Sequence, residues 1–414
     1  MNAPSPRKPL MSLNDALGQL LGALADHAPA LETVSTFDAD GRVLAQDVVS
    51  ALRVPPQDNS SMDGYALRAA DGAPGAVLPV SQRIAAGASG APLVAGTVAR
   101  IFTGAPIPVG ADAVLMQEDC TESGAQGQRA IVVNARPAVG QWIRRQGEDV
   151  AAGQCVLRAG QRLGPAGLGM AASVGMAQLQ VARRPRVALF STGDELVMPG
   201  ECAPADMAPG AIYNSNRFFL ASLLRRMGCA VTDLGIVPDQ LDATVAALRS
   251  AAQAHDVILT SGGVSVGEED HIKPAVQSLG SLDLWQIAIK PGKPFAHGRV
   301  GGAHFIGLPG NPVSSFMTFL LLVRPFLLRM QGASEVAMPA QTLRADFAWR
   351  RADRRQEFLR VRRNALGGLD LFPNQSSGVL SSTVWGDGFV DNPAGQTIAA
   401  GDAVRFVSFN ELLA

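Results

Sequence analysis

The stretch that decides the fold begins with RVALF at 186–190 and continues with NSNRFFLASLLRRMG (214–228), CAVTDLGIV (229–237), LDATVAALRSAAQAH (241–255) and DVILT (256–260). Short aliphatic runs alternate here with longer segments in which apolar residues recur at helical spacing. Such alternation is typical of a parallel sheet whose faces are covered by helices. We therefore predict an α/β domain at residues 181–331. It is joined by residues 1–26, where an amphipathic helix follows Ser12.

The segments on both sides of this region have the pattern of short strands. Apolar runs such as RIFTG (100–104), DAVLMQ (112–117) and AIVVNA (130–135) are separated by glycine and proline, which favour turns. The predicted fold class is thus α/β plus β, in four domains. The other three are predicted to be a β-rich linker domain at 27–54 with 149–180, a β domain at 55–148 and a small, barrel-like β domain at 332–414.

Composition excludes several classes of function. The chain of 414 residues is 47% hydrophobic and 17% charged, and its 35 basic and 36 acidic residues give a formal net charge of −1. This balance favours neither nucleic acid nor an anionic membrane as a partner. The longest apolar run, 316–323, is too short to cross a bilayer, and the four cysteines form no CxxC pair. The expected location is the reducing cytoplasm.

Three glycine-containing loops follow predicted strands of the α/β region. Their sequences are FSTGDEL (190–196), TSGGVSVGEED (260–270) and GLPGNPVSS (307–315). The carboxyl ends of parallel strands meet at one edge of a sheet, where glycines let backbone amides approach a phosphate. Each loop alone is as consistent with an ordinary turn, but the three together predict an anion site. Its candidate residues are Ser191, Thr192, Gly193, Ser261, Gly262, Gly263, Pro309, Gly310 and Asn311.

Charged side chains accompany these loops. Carboxylates facing a phosphate site are typical of a bridging Mg²⁺, although for any one acid alone a helix cap or an exposed charge is the favoured interpretation. The acids in these loops are Asp194, Glu195, Glu268, Glu269 and Asp270. Only four of the 35 basic residues are lysines, and two of them, Lys290 and Lys293, lie in the motif KPGKP. Two ammonium groups on a restricted loop suit a tetrahedral oxyanion, whereas the alternative is a solvated turn.

These segments together resemble the molybdopterin molybdenumtransferase family, called MoeA in bacteria and similar to the E domain of gephyrin. The resemblance rests on motifs in the same order over about 300 residues. They are PPQDNSSMDGYA, TGAPIPVGADAV, GEDV, RPRVALFSTGDELVMPG, TSGGVSVGEEDHIK, KPGKPFAHG, GLPGNPVSSF and RQEFLR. It implies an elongated homodimer, and a reaction in which molybdate is inserted into adenylylated molybdopterin with Mg²⁺-dependent release of AMP.

The resemblance also implies roles for individual residues. Positions linked in the family to substrate, metal or catalysis are matched by Asp63, Thr103, Asp149, Glu195, Asp239, Asp270, Lys290 and Lys293. Glu195 and Asp270 are the implied magnesium ligands, and Arg360 and Ser377 match substrate positions less closely. Asp63, Thr103 and Asp149 are expected to close the site across the dimer. The sequence departs from the family pattern at Asn214, Gln240 and Ser376.

Two other functions remain open from the sequence. A molybdopterin adenylyltransferase shares the α/β domain but lacks the β domains and KPGKP, and a scaffold that docks a partner needs no lysine pair. The resemblance leaves an adenylyltransferase and recipient molybdoenzymes as possible partners. From the charge balance and the short apolar runs, we expect no nucleic acid and no membrane as partners.

Overall fold

The computed structural model describes residues 10–124, 128–263 and 271–413. The described N-terminal part contains two α-helices and twelve strands. They are α1 (Leu13–Gly22), β1 (Leu31–Ser35), β2 (Val48–Val49), β3 (Asn59–Ser60), β4 (Gly64–Leu67), β5 (Val77–Ile84), β6 (Val98–Ile101), β7 (Ala113–Met116), β8 (Cys120–Ser123), β9 (Ala130–Val133), β10 (Ile143–Arg144), β11 (Cys155–Leu157), α2 (Pro165–Ser173) and β12 (Gln178–Ala182). Strands β4 to β9 form one sheet in the order β7-β4-β6-β5-β9-β8, and the other strands pair as β1-β12, β2-β11 and β3-β10.

The central part contains the predicted alternation of strands and helices. Its elements are β13 (Arg186–Thr192), β14 (Leu196–Val197), β15 (Ile212–Tyr213), α3 (Ser215–Arg226), β16 (Ala230–Val237), α4 (Leu241–Ala254), β17 (Val257–Ser261), α5 (Ile272–Leu279), β18 (Gly280–Gln286), β19 (Ile289–Lys290), β20 (Pro294–Val300), β21 (Ala303–Leu308), α6 (Pro312–Thr318) and α7 (Arg324–Met330). A π-helical segment, Phe319–Val323, joins α6 to α7.

The central sheet is mixed rather than wholly parallel. Its order is β16-β13-β17-β21-β20-β18, in which the first four strands are parallel, and the pairs β21-β20 and β20-β18 are antiparallel. Strands β20 and β21 are joined by a tight turn at Gly301 and Gly302, and so short a connection can only link antiparallel strands. The prediction of a parallel sheet is therefore correct for β16, β13, β17 and β21, and the predicted hairpin of β21 with β20 begins the antiparallel part, whose edge strand is β18.

The C-terminal part forms another sheet that pairs with the central part. It consists of β22 (Gln341–Arg344), β23 (Gln356–Arg363), β24 (Leu369–Leu371), α8 (Ser381–Trp385), β25 (Gly388–Asn392), β26 (Ala403–Ser408) and α9 (Phe409–Leu413). The strand order is β19-β23-β25-β26-β22, with β24 paired to β23. Because β19 belongs to the KPGKP segment, this sheet fixes the position of that loop.

One hydrophobic core joins α1, the central sheet and the C-terminal sheet. Leu20 of α1, Phe326 of α7 and Phe358 of β23 are each 0% exposed within it. The helix at 312–330 has the length and apolar composition to span a bilayer, but 89% of its most apolar window is buried inside this core. Its apolar character is therefore explained by packing between the two sheets.

Candidate functional site

The three glycine-containing loops line one cleft, as the sequence predicts. They follow the neighbouring parallel strands β13, β17 and β21, and the cleft has a volume of about 860 Å³. The predicted residues on its wall are Thr192, Gly193, Glu195, Asp239, Ser261, Gly262, Gly263, Pro309, Gly310 and Asn311. Ser191 is buried in β13 directly behind them and is not part of the wall. The side opposite the strands includes Gly378 and Leu380, so the C-terminal part contributes to the same cleft.

Two glycines in the cleft are required by the close packing of the loops. Gly262 and Gly263 have φ angles of +93° and +66°, which L side chains rarely adopt. A Cβ on Gly263 would lie 2.5 Å from Cγ1 of Ile272, and a Cβ on Gly262 would lie 3.0 Å from the backbone oxygen of Thr192. Both positions lie on the cleft wall without a side chain, and the Gly262 N–H donates to the Leu308 backbone oxygen at 3.0 Å.

Asn216, which sequence reasoning missed, connects two of the three loops. It lies in the first turn of α3, and its Nδ2 donates to Ser261 Oγ and to the Gly310 backbone oxygen, both at 2.7 Å. The side chain is 8% exposed, so these bonds are largely shielded from water. No short motif contains Asn216 and its partners, which are separated by 45 and 94 residues. The role of Asn216 becomes visible only in the folded structure, where the three residues come together at the edge of the sheet.

A neighbouring asparagine has a buried donor without a partner. Asn214 caps α3, with Oδ1 accepting from the backbone N–H of Arg217 at 3.2 Å. Its Nδ2 is buried and has no hydrogen-bond partner among the residues that the structure describes. A buried unpaired amide costs about 1–3 kcal/mol. Asn214 lines the cleft, so a ligand acceptor could satisfy this donor.

Glu195 and Asp239 are the predicted carboxylates that the described part of the chain brings to this cleft. Glu195 bends back over Gly193, since a Cβ built on Gly193 would lie 2.5 Å from Glu195 Oε2. Within the described ranges no group of three or more potential metal-ligating side chains occurs. The other predicted magnesium ligand, Asp270, lies outside the described residues. Magnesium commonly takes only one or two protein carboxylates together with substrate phosphates, so the acids on the cleft wall fit this ion.

The two lysines of KPGKP have different environments. Lys290 Nζ lies 3.0 Å from Glu357 Oε1 and 3.5 Å from Asp353 Oδ2. Trp349 Nε1 donates to the second Glu357 oxygen at 2.7 Å, and the Glu357 side chain is only 1% exposed. Lys293 is exposed and has no ion-pair partner in the described chain, and it precedes Pro294, which lines the cleft. Lys290 is thus held by the C-terminal sheet, whereas Lys293 is free to meet a ligand.

Arg360 and Ser377 lie behind the cleft wall formed by the C-terminal part. Arg360 is fully buried, and burial lowers the pKa of its guanidinium to about 10. Its donors reach three neutral acceptors: Ser382 Oγ at 3.2 Å, the Phe358 oxygen at 3.0 Å and the Ser376 oxygen at 3.3 Å. The Ser377 oxygen accepts from the backbone N–H of Val313, near the start of α6. A buried cation with neutral partners places an uncompensated positive charge beside this loop.

Asp63, Thr103 and Asp149 do not line this cleft. Asp63 Oδ1 accepts from both the backbone N–H and the hydroxyl of Thr103 at 2.8 Å, and the backbone bond in particular lowers the pKa of Asp63. Asp149 is exposed, and its backbone N–H donates to the Val54 oxygen at 3.0 Å. The single chain therefore places the predicted site residues in two groups, one in the central part and one in the N-terminal β part.

The fold and cleft define a multidomain protein built around an α/β domain with a glycine-lined cleft at its sheet edge. Residues 188–329 match the family model described as a probable molybdopterin binding domain. Residues 11–175 match the MoeA N-terminal region (domain I and II), and residues 342–409 match the MoeA C-terminal region (domain IV). The three matches follow one another along most of the chain.

Individual relatives agree with these matches. The chain is 37% identical to a molybdopterin molybdenumtransferase of Haemophilus influenzae, over 98% of this chain and 100% of the relative. It is 36% identical to one of Synechococcus elongatus, over 96% and 99% of the two chains. A crystal structure of a molybdopterin biosynthesis MoeA protein from Pyrococcus horikoshii OT3 has a TM-score of 0.80 at 27% identity, covering 97% of this chain and all of that one. The chain belongs to the MoeA family of molybdopterin molybdenumtransferases.

Proposed function

We propose that this protein inserts molybdate into adenylylated molybdopterin and releases AMP in a Mg²⁺-dependent reaction. Its family membership supports the transferase activity, and the observation that carries the proposal is the cleft at the carboxyl ends of β13, β17 and β21. This cleft combines accessible glycine backbone with the carboxylates Glu195 and Asp239. A phosphorylated substrate needs a glycine-containing backbone that it can approach closely, and a metal-assisted cleavage needs carboxylates that hold the metal.

The substrate phosphates are bound, in this proposal, by the loops that Asn216 connects. The backbone amides at Gly263 and at the start of α3 offer donors to a phosphoryl group, while the Gly262 N–H is bonded to the Leu308 oxygen. Asn214 adds its unpaired Nδ2 as a donor in the wall. Because Asn216 is bonded to Ser261 and Gly310 before any ligand arrives, the loops are preorganised and little ordering is needed on binding.

Glu195 and Asp270 would hold Mg²⁺, with Asp239 on the same wall. When bound, this ion neutralises negative charge on a pyrophosphate group and on its leaving phosphate. The protein side chains do the positioning. Glu195 is fixed close to Gly193, and Asp239 stands between the carboxyl end of β16 and the start of α4.

Lys293 is proposed to contact the molybdate dianion, because it is exposed beside Pro294 on the cleft wall. Lys290 contributes differently, since its ammonium group is held by Glu357 and fixes the orientation of the loop. Arg360 adds positive potential behind the segment 376–380, where Ser377 lies. Together these cations attract an oxyanion to the side of the cleft formed by the C-terminal part.

The assembly proposed for this reaction is a homodimer. Asp63, Thr103 and Asp149 lie away from the cleft in their own chain, so they would complete the site of the partner subunit. We also propose the domain limits predicted above, a cytoplasmic location, and transient docking of an adenylyltransferase and of recipient molybdoenzymes. An isolated bridge between Ala345 and Leu369 connects β24 to the end of β22, which supports a barrel-like closure of the C-terminal sheet.

The test is AMP release from adenylylated molybdopterin with Mg²⁺, measured with and without molybdate. Wild type should release AMP in a molybdate-dependent manner, and Glu195→Gln and Lys293→Ala should each lose at least about tenfold in rate. Lys273→Ala is the matched control, because Lys273 is also exposed but lies on α5 and does not line the cleft. AMP release that ignores molybdate would identify a hydrolase, and substrate binding without turnover would favour a scaffold. Either result refutes the proposal.

A further inference from the structure

The N-terminal β part has a second cleft, separate from the one at the central sheet. It lies on one face of the sheet β7-β4-β6-β5-β9-β8 and has a volume of about 570 Å³. Its wall includes Tyr65, Arg83, Arg100, Phe102 and Arg129. Within the ranges that the structure describes, none of the three arginines forms an ion pair. The roles proposed above for the chain do not use this cleft.

The strand register places two of these arginines side by side. Arg83 of β5 is paired with Arg100 of β6, and Arg100 is paired with Tyr65 of β4, so the three side chains project from the same face. Both guanidinium groups lie over the ring of Phe102, with Cζ 4.5 Å from its centroid for Arg83 and 4.8 Å for Arg100. The ring faces that could stack on a ligand are therefore already used by the arginines.

Like charges on neighbouring strands are destabilising unless an anion lies between them. Arg100 is held in place by hydrogen bonds to the Gly64 oxygen at 3.1 Å and to Gln117 Oε1 at 2.7 Å. The acid on this wall, Glu122, accepts from the Tyr65 hydroxyl at 3.3 Å. Three arginines against one acid leave the described wall with an excess of two positive charges. The guanidinium groups are thus held in position by the Phe102 ring and, for Arg100, by the Gly64 backbone oxygen. Their remaining N–H groups can donate to a ligand.

We propose that Arg83 and Arg100, with Arg129 at the edge, form a binding site for a tetrahedral oxyanion. A guanidinium group can donate two parallel hydrogen bonds to two oxygens of such an anion, whereas a lysine ammonium group cannot make this paired contact. The anion is either a free oxyanion such as molybdate or the phosphoryl group of a nucleoside monophosphate. Phe102 is followed directly by Thr103, which bonds Asp63, so the site adjoins the group expected to face the partner subunit. This inference does not require the transfer reaction proposed above.

The test is isothermal titration of the full-length protein with sodium molybdate and, separately, with AMP. The variants are Arg83→Gln and Arg83→Gln/Arg129→Gln, whose side chains are exposed and whose folding is checked by thermal unfolding. Arg136→Gln is the matched control, since Arg136 is an exposed arginine of the same part of the chain outside the cleft wall. Lys293→Ala separates binding at the central cleft from binding here.

We expect one class of sites to weaken at least about tenfold in the Arg83 variants and to persist in Arg136→Gln and Lys293→Ala. Weakening for molybdate identifies a free oxyanion as the ligand, and weakening for AMP alone identifies the phosphoryl group. Equal affinities in wild type and the Arg83 variants would overturn the proposal. So would equal weakening in Arg136→Gln, because it would reflect net charge only. AMP release that persists in the Arg83 variants would leave the transferase proposal intact.

Discussion

The contact between Lys290 and Glu357 predicts how the protein responds when either partner is removed. Nζ of Lys290 lies 3.0 Å from a carboxylate whose side chain is 1% exposed, while the lysine side chain is 38% exposed. Replacing Lys290 with Met leaves the buried carboxylate with one side-chain hydrogen bond among the described residues, from Trp349 Nε1 at 2.7 Å, and with the electrostatic attraction of Arg355. Breaking a buried ion pair from one side costs about 3–5 kcal/mol, and partial exposure of the lysine reduces this figure. We expect Lys290→Met to lower the free energy of unfolding by about 2–3 kcal/mol.

The same contact predicts that the two substitutions are not additive. Glu357→Gln keeps the bond from Trp349 and leaves the lysine partly solvated, so we expect a loss of about 1 kcal/mol. In the double variant Lys290→Met/Glu357→Gln no buried charge is left uncompensated. It should therefore be more stable than Lys290→Met alone by at least about 1 kcal/mol.

The assay is urea unfolding of the four proteins at neutral pH, followed by tryptophan fluorescence, since Trp349 lies within the contact. Lys293→Met is the matched control, because Lys293 is exposed and should change stability by no more than about 0.5 kcal/mol. Additive losses in the double variant, or no loss in Lys290→Met, would refute the reasoning. Lys290 would then have to be regarded as a free cation of the site rather than a fixed one.

Three further predictions concern pH and packing. Burial lowers the pKa of His297 to about 4 and of His304 to about 3, so the unfolded chain takes up protons first as the pH falls below about 6.5. Protonation of each histidine in the unfolded chain should lower the free energy of unfolding by about 2 kcal/mol between pH 7 and pH 5. Urea unfolding of His297→Gln/His304→Gln should therefore show a weaker pH dependence than wild type. An unchanged pH dependence would contradict this prediction. Gly263→Ala should lower the free energy of unfolding by about 1–3 kcal/mol and weaken substrate binding in a titration. The control Gly169→Ala, at a position in α2 where an added Cβ meets open space, should leave the stability unchanged or raise it. Leu20→Ala in the core should lower the free energy of unfolding by about 2–5 kcal/mol, measured by thermal unfolding. Leu366→Ala, at a position that is 81% exposed, should change it very little. Equal effects of the two substitutions would contradict the packing described.

The sequence predicted the part of the site that follows from local pattern. The loops after β13, β17 and β21 could be assigned to one edge because parallel strands have only one arrangement of their carboxyl ends. Asn216 could not be predicted, since its partners at Ser261 and Gly310 come from other strands. The engagement of Lys290 was missed for the same reason, because Glu357 is 67 residues away and the two residues meet only through the pairing of β19 with β23.

The fold was predicted in outline and missed in detail. Helical spacing was sufficient to find α1, α3 and α4, and glycine in PFAHGRVGGAHFIGL was sufficient to predict the hairpin of β20 and β21. The pairing of that hairpin with the parallel strands could not be read from the sequence, because apolar runs in buried parallel and antiparallel strands are alike. The short strands β3 and β10 were also not predictable, since two residues carry no periodicity.

The packing of α1 against α7 has a consequence for synthesis on the ribosome. Leu13, Leu20 and Leu24 are buried only when the partners of the same core, such as Phe326, have been made. About 300 residues separate the two helices, and translation at roughly 5–20 residues per second makes this an interval of roughly 15–60 seconds. The intervening β parts have cores of their own and can fold during that time. During this interval the apolar face of α1 therefore stays exposed, and α1 is a segment that a chaperone would be expected to bind.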